Sequence, residues 1–194
     1  MNPRLRLSDA EVVDLRFPTS RGLHGSDAMN PDPDYSAAYV MLRSSEGAGP
    51  TGHGLAFTIG RGNDVVCAAI HAIMPRVLGH ELGAIVGDMR GFWRHVVGDS
   101  QLRWLGPDKG VIHLAAAAAI NAVWDLWAKA EGKPLWKLLV DLPPAALVRC
   151  VDFRYLTDAL GADEAVELLA RRESEKHARE AVLRSEGLRA YTTS

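Results

Sequence analysis

The chain has 194 residues, 47% of them apolar, with 22 Lys plus Arg against 24 Asp plus Glu. That length suffices for a domain with a real core, and that composition argues against wholesale disorder. The near-neutral balance creates no field to gather nucleic acid or an anionic membrane, so neither is expected as a partner. Cys67 and Cys150 are far apart and lack CxxC spacing, so a reduced, intracellular pair is expected. The N-terminal MNPRLRLSDAEVV is charged every few residues and has no signal-peptide apolar region. The most apolar stretch, Val111–Ile120, reads as too short to span a bilayer, and a soluble cytoplasmic protein is the expectation.

In chain order, the spacing predicts a first strand over Ala10–Arg16, carried by Val12, Val13 and Leu15. The stretch Thr19–Tyr35 (TSRGLHGSDAMNPDPDY) is dense in turn-forming residues and reads as a long loop. Loops of that length are uncommon unless functional or disordered. Ala37–Arg43 and His53–Ile59 read as two strands joined by the Gly-rich turn Ser44–Pro50, the second weakened by glycine. Together these predict a three-stranded antiparallel meander.

The texture then turns helical. Asp64 is the expected N-cap of a helix bearing Val65, Val66, Ala69, Ile70 and Ile73 and ending at Pro75. A second helix is expected over Asp88–Val97. The longest runs from about Asp108 to Glu131 and spans roughly 36 Å, with Gly132 and Pro134 as its stop. Its only polar stripe is His113, Asn121, Asp125 and Lys129, so it should be the buried central helix of a bundle. Asp125 is expected to pair with Lys129 one turn on, and Trp124, Trp127 and Trp136 are expected in the core. Leu135–Val140 reads as a short helix or turn and Cys150–Tyr155 as a strand. Asp163–Glu186 reads as a charged helix whose middle, RRESEKH, lacks an apolar anchor. Ala190–Ser194 reads as the start of another strand.

Metal and phosphate motifs are absent. The seven histidines form neither HxxxH nor HExxH, and Gly60-Arg61-Gly62 lacks the Lys-Ser/Thr ending of a phosphate loop.

The stretch Ala119–Val140, with Trp124-Asp125, Lys129, Gly132-Lys133-Pro134 and Leu138-Leu139, resembles the end of the N-terminal capping domain in the mandelate racemase and muconate-lactonising branch of the enolase superfamily. Leu15–Tyr39, Gln101–Gly110 (QLRWLGPDKG), Val151–Asp158 (VDFRYLTD) and the terminal AYTTS are similar to L-fuconate dehydratases. In Gly161–Arg189 the match is mostly compositional.

The resemblance implies an α+β fold: a three-stranded antiparallel meander followed by a helical bundle, ending at the start of an absent (β/α)-barrel. It implies a capping domain over residues 1–150 and a connector with the first barrel strand over 151–194. The implied chemistry is magnesium-dependent loss of water from a sugar acid, with L-fuconate giving 2-keto-3-deoxy-L-fuconate. The base, the carboxylate ligands of Mg²⁺ and a His-Asp pair are expected beyond residue 194, so this chain is assigned no catalytic residue and no metal ligand. The implied partners are the sugar acid, the barrel domain and further copies of the protein.

Gly25, Ser26, Asp27 and Tyr35 fall where the family's loop contacts the sugar acid. Ser and Tyr hydroxyls donate or accept, Asp accepts, and Gly permits close backbone approach. The competing reading is that Gly25, Ser26 and Asp27 only make turns. Pro31, Asp32, Pro33 and Asp34 read as loop stiffeners. A second reading of the whole chain is a catalytically inert homologue that keeps the cap as a binding or assembly module.

Overall fold

The computed structural model describes residues 5–22, 24, 29, 34–45, 49–106 and 109–187. Gly25, Ser26, Asp27, Pro107, Asp108 and the strand expected at Ala190–Ser194 lie outside them. Within-chain contacts divide the protein into two compact units, Met1–Leu138 and Leu139–Ser194.

The first unit opens with the expected meander. Strands β1 (Leu7–Phe17), β2 (Tyr35–Ser44) and β3 (Gly52–Thr58) pair antiparallel in the order β1-β2-β3. Val12 sits opposite Val40, and Val40 opposite Gly54. Because side chains alternate along a strand, Ala38, Val40 and Leu42 share the inner face with Ala56.

Helix α4 (Val111–Ala130) packs on that face and is the central helix, beginning three residues later than expected at Val111. Its Ala115, Ala116, Ala118, Ala119 and Ala122 are fully buried. The β3 glycines explain how closely strand and helix approach. A Cβ on Gly54 would lie 2.1 Å from the Ala118 carbonyl oxygen, and one on Gly52 would lie 2.1 Å from that of Ala122. The glycines that weaken β3 as an isolated strand therefore let it seat on the helix. Asp125 and Lys129 secure the edge. The His53 amide donates to Asp125 Oδ2 at 2.8 Å, and Lys129 Nζ donates to Asp125 at 2.6 Å and to the Thr51 carbonyl at 2.9 Å. The helix stops at Gly132, whose φ is 65°, with the Lys133 amide reaching back to the Ala128 carbonyl.

By length and composition α4 could cross a membrane, but 61% of its apolar window is buried inside the fold. It is the core helix of this unit.

The tryptophan expectation needs correction. Trp127 is 5% exposed and in the core, whereas Trp136 is 39% exposed. Trp124 is half-buried and stacks on Trp127 with ring centroids 5.1 Å apart. Trp124 and Trp127 are three residues apart, so one helix turn brings their rings together while turning them to different depths.

Helix α1 (Asn63–Ile73) starts after Gly62 in the left-handed region, so Asp64 lies in the first turn and is not the cap. Its carboxylate there still opposes the helix dipole. Helix α2 (Leu82–Gly87), unforeseen from the sequence, is short, six residues, and buries Leu82 and Ile85. Helix α3 (Met89–Val97) begins at the expected Asp88, whose side chain accepts the Gly91 amide at 2.9 Å. Helix α5 (Leu135–Asp141) follows α4 and buries Leu138.

In the second unit, α6 (Pro144–Arg149) and α7 (Ala162–Arg171) pack around Val148, Phe153 and Ala165. The strand expected at Cys150–Tyr155 is instead the end of α6 and a 3-10 turn, Phe153–Tyr155. Asp152 caps that turn through the Arg154 amide and pairs with the Arg154 side chain at 2.7 Å, a local alternative to strand pairing. The helix expected over Asp163–Glu186 breaks at Glu173–Glu175, within the stretch that lacks an apolar anchor, and resumes as α8 (Lys176–Glu186).

A titratable link ties the helices of the first unit together. Arg76 donates to the His95 carbonyl at 2.8 Å and to His95 Nδ1 at 3.3 Å, and pairs with Asp99 at 3.4 Å. A guanidinium only donates, so Nδ1 must offer its lone pair and His95 must be neutral. The His80 ring lies 5.5 Å from His95 and 5.4 Å from Phe92. These side chains, with Ala84, Ile85, Asp88 and Gly91, line a cleft of about 210 Å³. Partial burial, then the Arg76 and His80 charges, hold His95 below its ordinary value of 6.5.

Gly54→Ala should destabilise the fold by about 2–3 kcal/mol, because its Cβ meets a helix backbone that cannot yield cheaply. A thermal melt matching the parent would contradict the close approach. Trp127→Ala should cost about 3–5 kcal/mol, and Trp124→Ala clearly less, as chemical denaturation of both variants would show. For His95, the depressed value means that stability present above pH 6.5 is lost as pH falls through the folded value. The melting temperature of the parent should therefore drop more between pH 7.5 and 5 than that of His95→Asn, which keeps an acceptor but does not titrate. Parallel curves would remove the link from the account.

Candidate functional site

The root of the long β1–β2 loop is where the polar groups of the first unit converge. The register puts Arg16 opposite Ser36, and Ser36 opposite Thr58. The end of β1, the start of β2 and the end of β3 thus meet at one corner of the sheet. The turn after β3 carries Gly60 and Gly62, both at positive φ, and turns the chain into α1. It delivers Asn63 to the same corner, where that side chain is 0% exposed.

The hydrogen bonds there close a ring in which two donor chains, one from Gly60 and one from Arg16, converge on Asp14. The Gly60 amide donates to Ser36 Oγ at 2.8 Å. Ser36 and Thr58 share a bond of 2.5 Å, and Thr58 donates to Asn63 Oδ1 at 2.7 Å, so Ser36 is the donor between the two hydroxyls. Asn63 Nδ2 donates to Asp14 Oδ1. Arg16 grips both Asp14 oxygens, at 2.6 and 2.7 Å, and donates to the Gly60 carbonyl, closing the ring. Asp64 lies 3.6 Å from the same guanidinium. The Arg16 hydrogen bonds, opposed by partial burial and aided by Asn63, hold the Asp14 carboxyl below the usual range. Asp14 is therefore an ionised terminus on which the donor chains end.

The loop leaves and re-enters beside this ring. After β1 the chain makes a 3-10 turn, Thr19–Gly22, and returns at Asp34. Asp34 Oδ1 accepts both the Ser20 amide at 3.1 Å and the Ser20 hydroxyl at 2.6 Å. The Ser20 hydroxyl and amide, then the charges of Arg61 and Arg21, hold the Asp34 carboxyl below the usual range. Gly60 is packed against this residue: a Cβ there would lie 2.9 Å from Asp34 Cβ.

Of the residues expected to meet a substrate, only Tyr35 lies within the described chain. It is half-buried, opposite Phe17 on the outer face of the sheet, with its ring 5.7 Å from that of Phe57. Asp125 pairs with Lys129 as expected and also accepts the His53 amide. Sequence reasoning missed Asp14, Arg16, Ser36, Thr58 and Asn63, which come from four separate segments. The one available signal was Gly60-x-Gly62 directly before an Asn, a turn that seats a short polar side chain. Among the described residues no three His, Cys, Asp or Glu side chains are placed to hold a metal ion, so these residues do not fit a magnesium site.

Comparison with known proteins places this geometry. Residues 28–140 match the model of the mandelate racemase / muconate lactonizing enzyme N-terminal domain. The chain is 58% identical over 189 residues to the mitochondrial enolase superfamily member 1 of Bos taurus, covering 97% of this chain and 43% of the relative. It is 53% identical over 182 residues to an L-galactonate dehydratase of Hypocrea jecorina, covering 93% of this chain and 40% of that protein. The crystal structure of human mitochondrial enolase superfamily member 1 superposes with a TM-score of 0.94 at 54% identity, over 98% of this chain and 43% of that one. The chain thus spans less than half the length of the relatives it matches, and it belongs to the mandelate racemase and muconate lactonizing enzyme family of the enolase superfamily, whose N-terminal domain it carries.

Proposed function

We propose that this chain is the capping part of a sugar-acid dehydratase that converts L-fuconate to 2-keto-3-deoxy-L-fuconate and water. The supporting observation is its 53% identity, over 93% of its length, to a protein named L-galactonate dehydratase. L-Fuconate is 6-deoxy-L-galactonate, so the two acids differ by a single hydroxyl at C6. Net reaction removes the proton on C2 and the hydroxyl on C3 as one water, and the resulting enol becomes the 2-keto acid. In this reading the proton transfer and the Mg²⁺ ligands belong to the barrel domain, and no step is assigned to the metal through residues of this chain.

The contribution of this chain is to cover, orient and discriminate. The loop between Ser20 and Asp34 is fixed at both ends beside a rigid polar ring. Gly25, Ser26, Asp27 and Tyr35 supply the donors and acceptors a polyol requires. Covering the reacting centre excludes water and strengthens every polar contact within. Selection between L-fuconate and L-galactonate depends on how C6 is met. An apolar contact rejects an added hydroxyl only weakly, whereas a site built to bond that hydroxyl strongly rejects its absence.

A domain exchange tests the proposal: this chain replaces the matching N-terminal part of the Hypocrea jecorina protein, and keto-acid formation is measured with Mg²⁺. The exchanged enzyme should dehydrate both acids with the higher kcat/KM on L-fuconate, and the 194-residue chain alone should give nothing above background. Asp27→Ala should lower kcat/KM by about ten- to a hundredfold, the worth of one bond to a charged group, with Mg²⁺ dependence unchanged. A folded exchange enzyme without turnover, or turnover by the chain alone, would defeat the proposal.

A further inference from the structure

The outer face of the sheet carries apolar side chains that the core of the first unit does not use. Helices α1 and α4 pack on the inner face, where Ala38, Val40, Leu42 and Ala56 are buried. Alternation sends the intervening side chains of each strand outward. The register sets them in rows across the three strands. Tyr39 and Leu55 are neighbours in one row, and Leu15, Ala37 and Phe57 form the next. Phe17 ends β1 on the same face, and Ile59 follows one residue after β3. Phe17, Leu55, Phe57 and Ile59 are between 45% and 61% exposed.

The chemistry of this face narrows what can cover it. Its charges are gathered at the far end of the strands, where Arg43 pairs with Asp9 at 2.8 Å and with Glu11. The two rows carry no Asp, Glu, Lys or Arg. The Tyr39 hydroxyl already shares a hydrogen bond of 3.0 Å with His53 Nδ1, so a covering surface need offer it nothing polar. Nucleic acid, an anionic membrane or a charged peptide finds no counter-charge here.

The size fits a protein partner. At about half exposure each, the four side chains present roughly 400 Å² of apolar surface. A stable interface covers about 800 Å² on each partner, a little over half of it apolar. The patch therefore holds about the apolar share that one such interface requires. A second copy presents the same uncharged rows, and a twofold pairing lays them on each other as two sheets face to face. The relief suits self-pairing too. Ala37 is the smallest side chain of its row and sits beside Phe57, so the Phe57 of each copy has a low point to fill on the other.

We propose that the outer face of the sheet binds a second copy of this chain, in a twofold dimer with Leu55 and Phe57 at its centre. The proposal does not depend on the substrate reading. Sedimentation velocity of the 194-residue chain should show a dimer at about 50 µM that dissociates on dilution. Phe57→Glu and Leu55→Glu should each raise the dimer Kd at least about tenfold, with the far-UV circular dichroism of the parent. Phe57→Ser, which adds no charge, should weaken the dimer in the same direction and decides the matter if a glutamate variant fails to fold. Trp104→Glu, at an exposed tryptophan outside these rows, should leave the Kd unchanged. A parent that stays monomeric up to about 1 mM, or a dimer indifferent to the Phe57 and Leu55 variants, would overturn the proposal. Equal weakening by Trp104→Glu, or mass that grows past the dimer with concentration, would identify unspecific clustering and overturn it as well.

Discussion

The spacing between β3 and α4 governs the first unit. Gly52 and Gly54 bring strand backbone against helix backbone at Ala118 and Ala122, closer than any side chain would permit. Such an approach gains dispersion contacts along the whole interface and leaves no void to fill. It also decides which long side chains can reach across. Asp125 and Lys129 are close enough to bond the backbone of His53 and Thr51 only because the strand lies so low on the helix. Once β3 is seated, its far end is fixed too, and Thr58 and Gly60 are held where α1 begins.

The polar ring is a consequence of that placement and also a demand on it. Ser36 and Asn63 are buried, and a buried polar group without a partner costs more than an ordinary hydrogen bond returns. Here each donor has an acceptor, and the chain of bonds ends on the ionised Asp14. A fully satisfied network of this kind specifies one arrangement, because moving any member strands its neighbour. Three strand ends and a helix start are thereby locked where the longest loop leaves the sheet. A loop that contacts a ligand is best mounted on such a base, since errors at the root grow toward the tip.

The sequence disclosed the parts of this structure that depend on local pattern. The strand runs, the Gly132 stop, the Asp88 start and the Asp125–Lys129 pair were legible because each is decided within a turn or two. The errors fall where tertiary contacts, a local cap or too short an element decides. Trp136 and Trp124 have the composition of core residues, yet their depth is set by the rotation of α5 and α4. Cys150–Tyr155 alternates like a strand, but Asp152 offers its turn a local cap. The six-residue helices α2 and α6 are too brief to show a period. The site was the least legible. Asp14, Ser36, Thr58 and Asn63 are each ordinary for their positions, and only the three-dimensional register makes them a ring. The loop was recognisable by composition and resemblance, whereas the clasp of Asp34 on Ser20 has no signature in spacing.

The division between a fixed base and a turn-rich loop has an energetic logic. Ordering a residue costs about 1–2 kcal/mol of backbone entropy, so a covering loop ordered only by its ligand would draw heavily on binding energy. Tying the ends of the loop together in advance reduces the number of conformations left to lose. The reduction is cheap at the root, where Ser20 and Asp34 bond each other without any ligand. Stiffening the tip of any covering loop is costly, because it hinders adjustment to a ligand and its release. A carboxylate clasp suits the root better than a hydrophobic one. It takes both Ser20 donors on one oxygen, tolerates exposure to water, and keeps its charge through the neutral range because its donors hold the carboxyl below the usual value. Binding energy that is not spent on ordering a loop is available for orienting a ligand, the use of binding energy that lowers a chemical barrier.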